Sequence, residues 1–394
     1  MSGRAPGERG PGAARGIRAR PGGVVARRAL VAAALLAAAL LAPAGARPAP
    51  ERGGAWTGAA AALAGGAPGS AAAPGRSQGE APRSQGEAPA PPAPIAAVVK
   101  DGPLERGLQR WPLRALRLTG KPADGRFEAT LALGAAAKGE GPREVKVRLA
   151  PAQKKNPLAF RRPLAFYRLA RALGAHVVPA AAARRIGIGE LAALIGREPA
   201  GRKLLRRFVV MNDGTVDALV LAPAPGPPGP RWIAPRRTSI RFDDAPELDV
   251  WARWARSPSP ARGERASILR DYLEVLVLDY LAGNGLRKEI VLDVSAGALS
   301  LEANASAFPP HVKVHALDRQ LDRLAAAARF PRALRDALAR FGPEEAAAAL
   351  RPRGFEGELV PPRALVELEE RRQTLLSLIG AKIAARGEAA VLSL

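Results

Sequence analysis

The feature that most constrains the fold is a long apolar segment, residues 267–281, that stops at Gly283 and Asn284. Its apolar residues occupy nearly every side of a helix, and a helix of this kind must be buried at the centre of a domain. A short polar loop follows, and then two strand-like segments, 289–294 and 298–301, are joined by a Ser-Ala-Gly turn. The sequence therefore predicts a central buried helix that leads into a loop and a β-hairpin.

The region before this helix predicts a small lobe that is rich in sheet. Residues 126–133 carry strand-forming side chains, and residues 144–149 alternate polar and apolar side chains as a half-buried strand does. Apolar residues recur at helical spacing in 163–173, which predicts a helix. Two more strands, 207–211 and 216–221, flank an Asn-Asp-Gly turn, since the glycine supplies the positive φ of a tight hairpin.

The region after the hairpin predicts a mainly helical lobe. Four helices are predicted there: 318–330, 331–341, 343–350 and 363–386. A break rich in proline, residues 222–230, separates the two parts of the chain. We therefore predict an α+β fold of two lobes, with a sheet-rich lobe in 96–229 and a helical lobe in 230–394.

The N-terminal region predicts export. A basic segment, an apolar run at 29–41 and an Ala-Gly-Ala pattern ending at Ala46 follow one another in the order of a secretory signal peptide, residues 1–46. The run is shorter than the ~20 residues that span a bilayer. Export to the periplasm or the exterior is expected, with an uncleaved membrane anchor and an Ala-rich helix without a targeting role as alternatives. Residues 47–95, which contain a direct repeat and many prolines, are predicted to be a disordered linker.

The composition restricts the partners and the chemistry. The chain has 394 residues and a formal net charge of +24, but its arginines are scattered and only 4% of its residues are aromatic. Aromatic platforms for nucleic acid are therefore scarce. A biased background composition or a polyanionic partner such as anionic lipid explains the charge better than nucleic acid does. The absence of cysteine excludes disulfides, thiolate metal sites and a cysteine nucleophile, and the sequence has only three histidines.

Two segments resemble the motifs of a known superfamily. The chain reads DYLAGNGLR at 279–287 and ANASAF at 303–308. These segments resemble the Asp-Tyr-Leu-x-Gly-Asn-x-Asp-Arg and Asp-Asn-Gly/Ala-x-x-Phe motifs of the protein-kinase-like superfamily. The closer resemblance is to its bacterial branch, which is related to phosphatidylinositol 3-/4-kinases and to the Golgi secretory-pathway kinases. The resemblance implies a two-lobed fold that holds ATP and Mg²⁺ between the lobes.

The departures from these motifs decide the predicted activity. Leu286 stands at the position of the catalytic-loop Asp, and Ala303 at that of the metal-binding Asp. The metal-binding Asn appears as Glu289 in a shortened loop, the nucleotide-binding Lys as Ala150, and its Glu partner as Pro163. Positioned proton transfer contributes roughly 10²–10⁴ in rate, and Mg²⁺ is normally held by carboxylates. Activity near background is therefore expected.

Three functions follow from these observations. The first is an exported pseudokinase that binds or scaffolds and uses no cofactor. The second is an active kinase that uses ATP and Mg²⁺ with relocated groups at Lys146, Glu289 and Glu302. The third is a basic envelope protein that binds anionic lipid or polysaccharide. The expected partner is a protein or an anionic envelope component and not nucleic acid, and the chain is expected to be a monomer.

Five residues are predicted to lie in the cleft: Asn284, Arg287, Glu289, Asn304 and Lys146. Asn284 and Arg287 are expected to hold the loop by hydrogen bonds rather than to contact a ligand. No metal site is predicted.

Overall fold

The computed structural model describes residues 101–119, 125–133, 144–197, 199–223, 237–242, 245–294, 296–355 and 357–394. These residues belong to one compact unit, Pro91–Leu394. The predicted signal peptide and linker, residues 1–46 and 47–95, lie outside the described residues. The same holds for residues 224–230 of the proline-rich break.

A five-stranded antiparallel sheet forms the first part of the described chain. Its strands are β1 (Leu113–Thr119), β2 (Arg126–Ala132), β3 (Glu144–Pro151), β4 (Ala181–Gly187) and β5 (Thr215–Leu221), in the order β1-β2-β3-β5-β4. Alternation along β2 buries Phe127, Ala129 and Leu131 on one face, and Glu128 lies on the other. The register sets Glu128 opposite Arg148 of β3, so these charged side chains share the second face.

Four helices accompany this sheet: α1 (Pro103–Arg110), α2 (Arg161–Ala172), α3 (Ile188–Ile195) and α4 (Pro199–Leu205). The predicted helix 163–173 corresponds to α2, which begins two residues earlier. Pro163 lies in its first turn, where a missing N–H costs no intrahelical bond. Gly174, at φ +69°, follows its end.

The predicted hairpin 207–211/216–221 is wrong in its first strand. The turn is present, with Gly214 at φ +75° and β5 after it. However, residues 207–211 form only an isolated bridge between Phe208 and Gln153. The reason is competition for partners, because β5 pairs on both sides with β3 and β4. The segment before the turn instead crosses the end of β3, where Val209 N donates to Ala152 O over 2.9 Å.

The second part of the chain is mainly helical. Its helices are α5 (Pro246–Arg256), α6 (Gly263–Leu281), α7 (Val314–Ala326), α8 (Arg332–Arg340), α9 (Pro343–Ala349), α10 (Pro362–Arg386) and α11 (Glu388–Val391). A small antiparallel sheet, β6 (Arg237–Arg241), β7 (Glu289–Asp293) and β8 (Ala298–Ser300), is ordered β6-β7-β8. The predicted hairpin at β7 and β8 and the four predicted helices are confirmed, although α7 begins and ends four residues before its predicted bounds.

The central helix is confirmed, since every residue of α6 from Tyr272 to Leu281 is buried. It belongs to the larger of two hydrophobic cores, which also contains Phe166 and Leu169 of α2. The smaller core is formed by the five-stranded sheet and the helices beside it, and it contains Phe127, Leu131 and Phe208. Among the helices of the described residues, none combines the length and the apolar character that crossing a bilayer requires.

Candidate functional site

The loop after α6 begins at a glycine turn. Gly283 has φ +64°, the left-handed conformation that glycine adopts without steric cost. The backbone N–H of Asn284 donates to the carbonyl of Asp279 over 2.8 Å, which closes the helix end. The turn directs Asn284 and Arg287 back toward the last buried turn of α6.

Four polar side chains form a buried network beneath this loop. The side chains of Arg287 and Asp279 are both fully buried and form an ion pair. Arg287 Nη2 donates to Asp279 Oδ1 over 2.6 Å, and Asn284 Nδ2 donates to the same oxygen over 2.8 Å. Arg287 Nη2 also donates to Asn304 Oδ1 over 3.0 Å. The network joins the helix, the loop and the segment after β8.

Other elements hold the same loop from outside. The Arg287 guanidinium lies 5.5 Å from the centre of the Phe166 ring of α2. Gln320 of α7 donates from Nε2 to the carbonyl of Asn284 over 2.9 Å. Arg371 of α10 donates from Nη1 to the carbonyl of Leu281 over 3.0 Å. Contacts from three helices therefore fix the loop, and the side-chain oxygen of Asn284, Oδ1, is buried there without a hydrogen-bond partner among the described residues.

Burial governs the titration of the acid in this network. Complete burial raises the pKa of Asp279, because a desolvated carboxylate is unfavourable. The charge and hydrogen bonds of Arg287 and the hydrogen bond from Asn284 act in the opposite direction. Asp279 is thus committed to Arg287 and is closed to solvent, which leaves it no role as a proton acceptor for a substrate.

The positions that differ from the kinase motifs offer no catalytic group. Leu286 is 49% exposed, and Ala303 is exposed as well. Neither side chain has an oxygen. The neighbouring Asn304 does not compensate, because its Nδ2 donates to the carbonyl of Leu301 over 2.8 Å while its Oδ1 accepts from Arg287. Ala150 packs partly buried against the larger core, and Pro163 lies in the first turn of α2.

Three of the five predicted cleft residues are connected by hydrogen bonds, and the other two have different partners. Asn284, Arg287 and Asn304 belong to the buried network. Glu289 is exposed on β7 and accepts a hydrogen bond from Ser239 Oγ over 2.9 Å. Lys146 lies on the open face of β3, with its Nζ 3.6 Å from Glu128 Oε1.

A cluster of arginines near Ala303 was missed by the sequence reasoning. Arg148 of β3 and Arg237 of β6 both pair with Glu302, the second at 3.3 Å between Nη1 and Oε1. Arg237 Nε also lies 3.8 Å from Asp293 Oδ2. Burial, Arg126 and Arg237 lower the pKa of Arg148, and Glu289 opposes them. Strand alternation alone places Arg148 on the face of Lys146, but no sequence signal pairs β6 with β7.

A cavity of about 180 Å³ lies behind the β7–β8 hairpin, and His176, Arg237, Asp271, Asp293 and Ser300 contribute to its lining. Asp271 Oδ2 accepts from the backbone N–H of Leu299 over 2.8 Å. One turn further along α6, Glu274 accepts from the backbone N–H of His176 over 3.2 Å. Burial, and then the charge of Asp271, raise the pKa of Glu274 to about 7.

The residues of the cleft do not fit a magnesium ion. Mg²⁺ requires oxygen ligands in near-octahedral geometry, normally with carboxylates among them. Here Leu286 and Ala303 supply none, and the nearby carboxylate of Glu302 is paired with two arginines. Within the part of the chain that the structure describes, no three His, Asp or Glu side chains are grouped to hold a metal ion.

Comparison with solved structures decides the type of fold. The chain matches the crystal structure of the Golgi casein kinase with Mn and ADP bound, with a TM-score of 0.50 and 15% identity over 73% of this chain and 77% of that chain. This chain has a kinase-like fold. The structure of hydra Fam20 with sugar also matches, with a TM-score of 0.50 and 12% identity over 73% of this chain and 90% of that chain.

The comparisons of sequence add no closer relative. No protein-family model matches the chain, and no curated protein matches it. The likeness to the two solved structures confirms the predicted kinase-like α+β fold. The finer placement in a bacterial branch of the superfamily stays a prediction.

Proposed function

We propose that this kinase-like protein is catalytically inactive and acts by binding. One observation carries the proposal: the polar residues that the kinase-like frame retains hold one another, and the positions of the missing acids are apolar. Asp279 and Asn304 are both committed to Arg287. Leu286 and Ala303 have no group that accepts a proton or binds a metal ion.

The nearest acid after β8 does not replace them. Glu302 precedes Ala303 by one residue, but it is paired with Arg148 and Arg237. Adjacent cations stabilise the charged form of a carboxylate and weaken it as a base. A base that accepts a substrate proton works best with a pKa near the working pH.

The active-kinase alternative requires Lys146, Glu289 and Glu302 to act together. Each of these residues has a different partner in the described structure: Glu128 for Lys146, Ser239 for Glu289, and the two arginines for Glu302. No ion pair or hydrogen bond described here connects Lys146 with either of the other two. The commitment of these residues to different partners favours a binding role over phosphoryl transfer.

The place of action that we propose is outside the cytoplasm, after cleavage behind Ala46. The support is the order of basic, apolar and small residues in 1–46. A neighbour in the comparisons is named as a Golgi kinase, which is compatible with a secreted role. Sequencing of the mature N-terminus from the native host tests this, and an intact N-terminal Met or Ser would contradict it.

The test of inactivity is a phosphate-transfer assay with radiolabelled ATP and either Mg²⁺ or Mn²⁺. Casein and the chain itself serve as acceptors. We expect incorporation equal to that of a protein-free control. Transfer above this background that is abolished by Glu289→Gln or Glu302→Gln would contradict the proposal and favour relocated acids.

A further inference from the structure

The open face of the small-lobe sheet is strongly cationic next to the cleft. Arg117 of β1, Arg126 of β2, and Lys146 and Arg148 of β3 lie on this face. Glu128 lies among them and is shared by Arg117 and Lys146, at 3.2 Å and 3.6 Å. The side chain of Arg148 is 52% exposed, so a ligand from solvent has access to it.

Arg237 brings a second guanidinium to Arg148 from the helical lobe. Both arginines contact the same carboxylate, that of Glu302. Burial comes first among the causes that lower the pKa of Arg148, the charges of Arg126 and Arg237 follow, and the charge of Glu289 opposes them. Asp293, which is buried, balances part of the charge of Arg237. Glu302 is therefore the anion that both cations share, while Asp293 lies beside Arg237 and the charge of Glu289 acts on Arg148.

The chemistry of this arrangement is opposite to that of a metal site. Like charges repel, and the repulsion is stronger where water is partly excluded, so a divalent cation beside Arg148 and Arg237 is disfavoured. An oxyanion gains from the same groups, because guanidinium binds phosphate and similar anions with two parallel hydrogen bonds. A multiply charged anion gains more than the single carboxylate that lies there.

We propose that Arg148 and Arg237 bind a multiply charged oxyanion, a phosphate or sulfate ester, without a divalent metal ion. Glu302 occupies the site as an internal counter-ion until the ligand displaces it. This inference rests on the proposed function, since it names the ligand chemistry of a cleft that does not catalyse transfer. In the protein without ligand, the ion pairs of Arg148 and Arg237 with Glu302 occupy the site.

The test is calorimetric titration of the full chain with inorganic pyrophosphate in the presence of EDTA. Binding without metal is expected, and it should weaken as salt rises because the interaction is electrostatic. Arg148→Gln with Arg237→Gln should lower the affinity at least tenfold, since both charge-assisted contacts with the anion are lost. Glu302→Gln should raise the affinity roughly tenfold, which corresponds to about 1.4 kcal/mol.

Arg332→Gln is the matched control. Arg332 is also paired with a carboxylate, Glu388, but it lies on α8 and its side chain is 51% exposed. This variant should bind pyrophosphate as the wild-type protein does. If the double arginine variant does not fold, the affinity of Glu302→Gln for pyrophosphate is the test. The affinity rises in this variant if Glu302 competes with the ligand. It falls if the ion pairs of Glu302 only hold the arginines in place.

Three results would overturn the proposal: no binding in EDTA, binding unchanged by the arginine substitutions, or weaker binding by Glu302→Gln. A parallel titration with ADP and with a sulfated sugar distinguishes the sources of the anion. Equal affinities support a site for the charged group alone, and tighter ADP binding supports a nucleotide as its source. Failure here leaves the inactivity intact, because that is measured separately by phosphate transfer.

Discussion

Leu286 and Ala303 change the chemistry of this kinase-like fold through what their side chains lack. Both are exposed, beside the buried ion pair of Asp279 and Arg287. A single carboxylate at either position would add charge and oxygen ligands to the cleft. The acid next to Ala303 in the sequence, Glu302, is paired with the cations Arg148 and Arg237.

Glu274 should make stability depend on pH. Its pKa is raised to about 7 from 4.5, so the folded protein holds this proton more tightly than the unfolded chain does. The stabilisation is full below pH ~4.5 and is lost as the pH rises to ~7, by up to about 3 kcal/mol. Glu274→Gln stays neutral and still accepts the hydrogen bond of His176. We expect it to match the wild-type protein at pH 5 and to be more stable at pH 8.

Urea unfolding at pH 5 and pH 8 measures this difference. Glu247→Gln, at an exposed position in the first turn of α5, is the matched control and should keep the wild-type pH dependence. The same pH dependence in Glu274→Gln as in the wild-type protein would show that another group is responsible.

The loop after α6 illustrates, at the scale of elements, how a buried ion pair determines a conformation. Asp279 is part of the helix, whereas Arg287 reaches back to it from the end of the loop. Removing one partner leaves an uncompensated buried charge, which costs about 3–5 kcal/mol. We expect Asp279→Asn and Arg287→Met each to destabilise the protein by this amount.

The double variant Asp279→Asn/Arg287→Met should cost less than the sum of the two, because it leaves no buried charge. A double-mutant cycle from urea unfolding gives the coupling, which we expect to be about 2–3 kcal/mol. The pair of Arg332 and Glu388 is the control, since its side chains are 51% and 53% exposed. Its coupling should be below ~1 kcal/mol. Additive effects at Asp279 and Arg287 would contradict a mutually dependent pair.

The two lobes of the described chain are connected through α2. This helix precedes the proline-rich break, yet Phe166 and Leu169 lie in the core of the helical lobe. Phe166 also contacts Arg287, so the helix touches the candidate site directly. The two lobes therefore share a hydrophobic core as well as the ion pairs of Glu302.

Phe166→Ala should loosen both lobes. Loss of a buried phenylalanine side chain costs about 3–5 kcal/mol. Hydrogen exchange should show reduced protection in α6 as well as in the five-stranded sheet. Phe127→Ala is the matched control, because Phe127 is equally buried but lies in the smaller core. It should affect the sheet more than α6. A loss of protection confined to α2 in Phe166→Ala would show that the cores are independent.

Local sequence patterns were sufficient to predict the elements whose residues are buried continuously or at a regular spacing. Continuous apolar residues predict α6, strict alternation predicts β3, and helical spacing predicts α10. The same reasoning missed β6 and assigned a strand to 207–211. These segments depend on partners that are distant in sequence, since β6 pairs with β7 and β5 is already paired on both sides. Pairing over such distances leaves no periodicity in either segment.

The candidate site divides in the same way. The motif residues and the missing acids can be recognised in the sequence. Leu286 and Ala303 lie next to the Gly, Asn and Arg residues of the motifs, and these neighbours identify their positions. The anion site is not visible, because Arg148, Arg237 and Glu302 come from three separate segments. A charged side chain has the same appearance in a sequence whether it faces solvent or another charge. Only folding brings these three within ion-pair distance, and that proximity creates the charge pattern of the cleft.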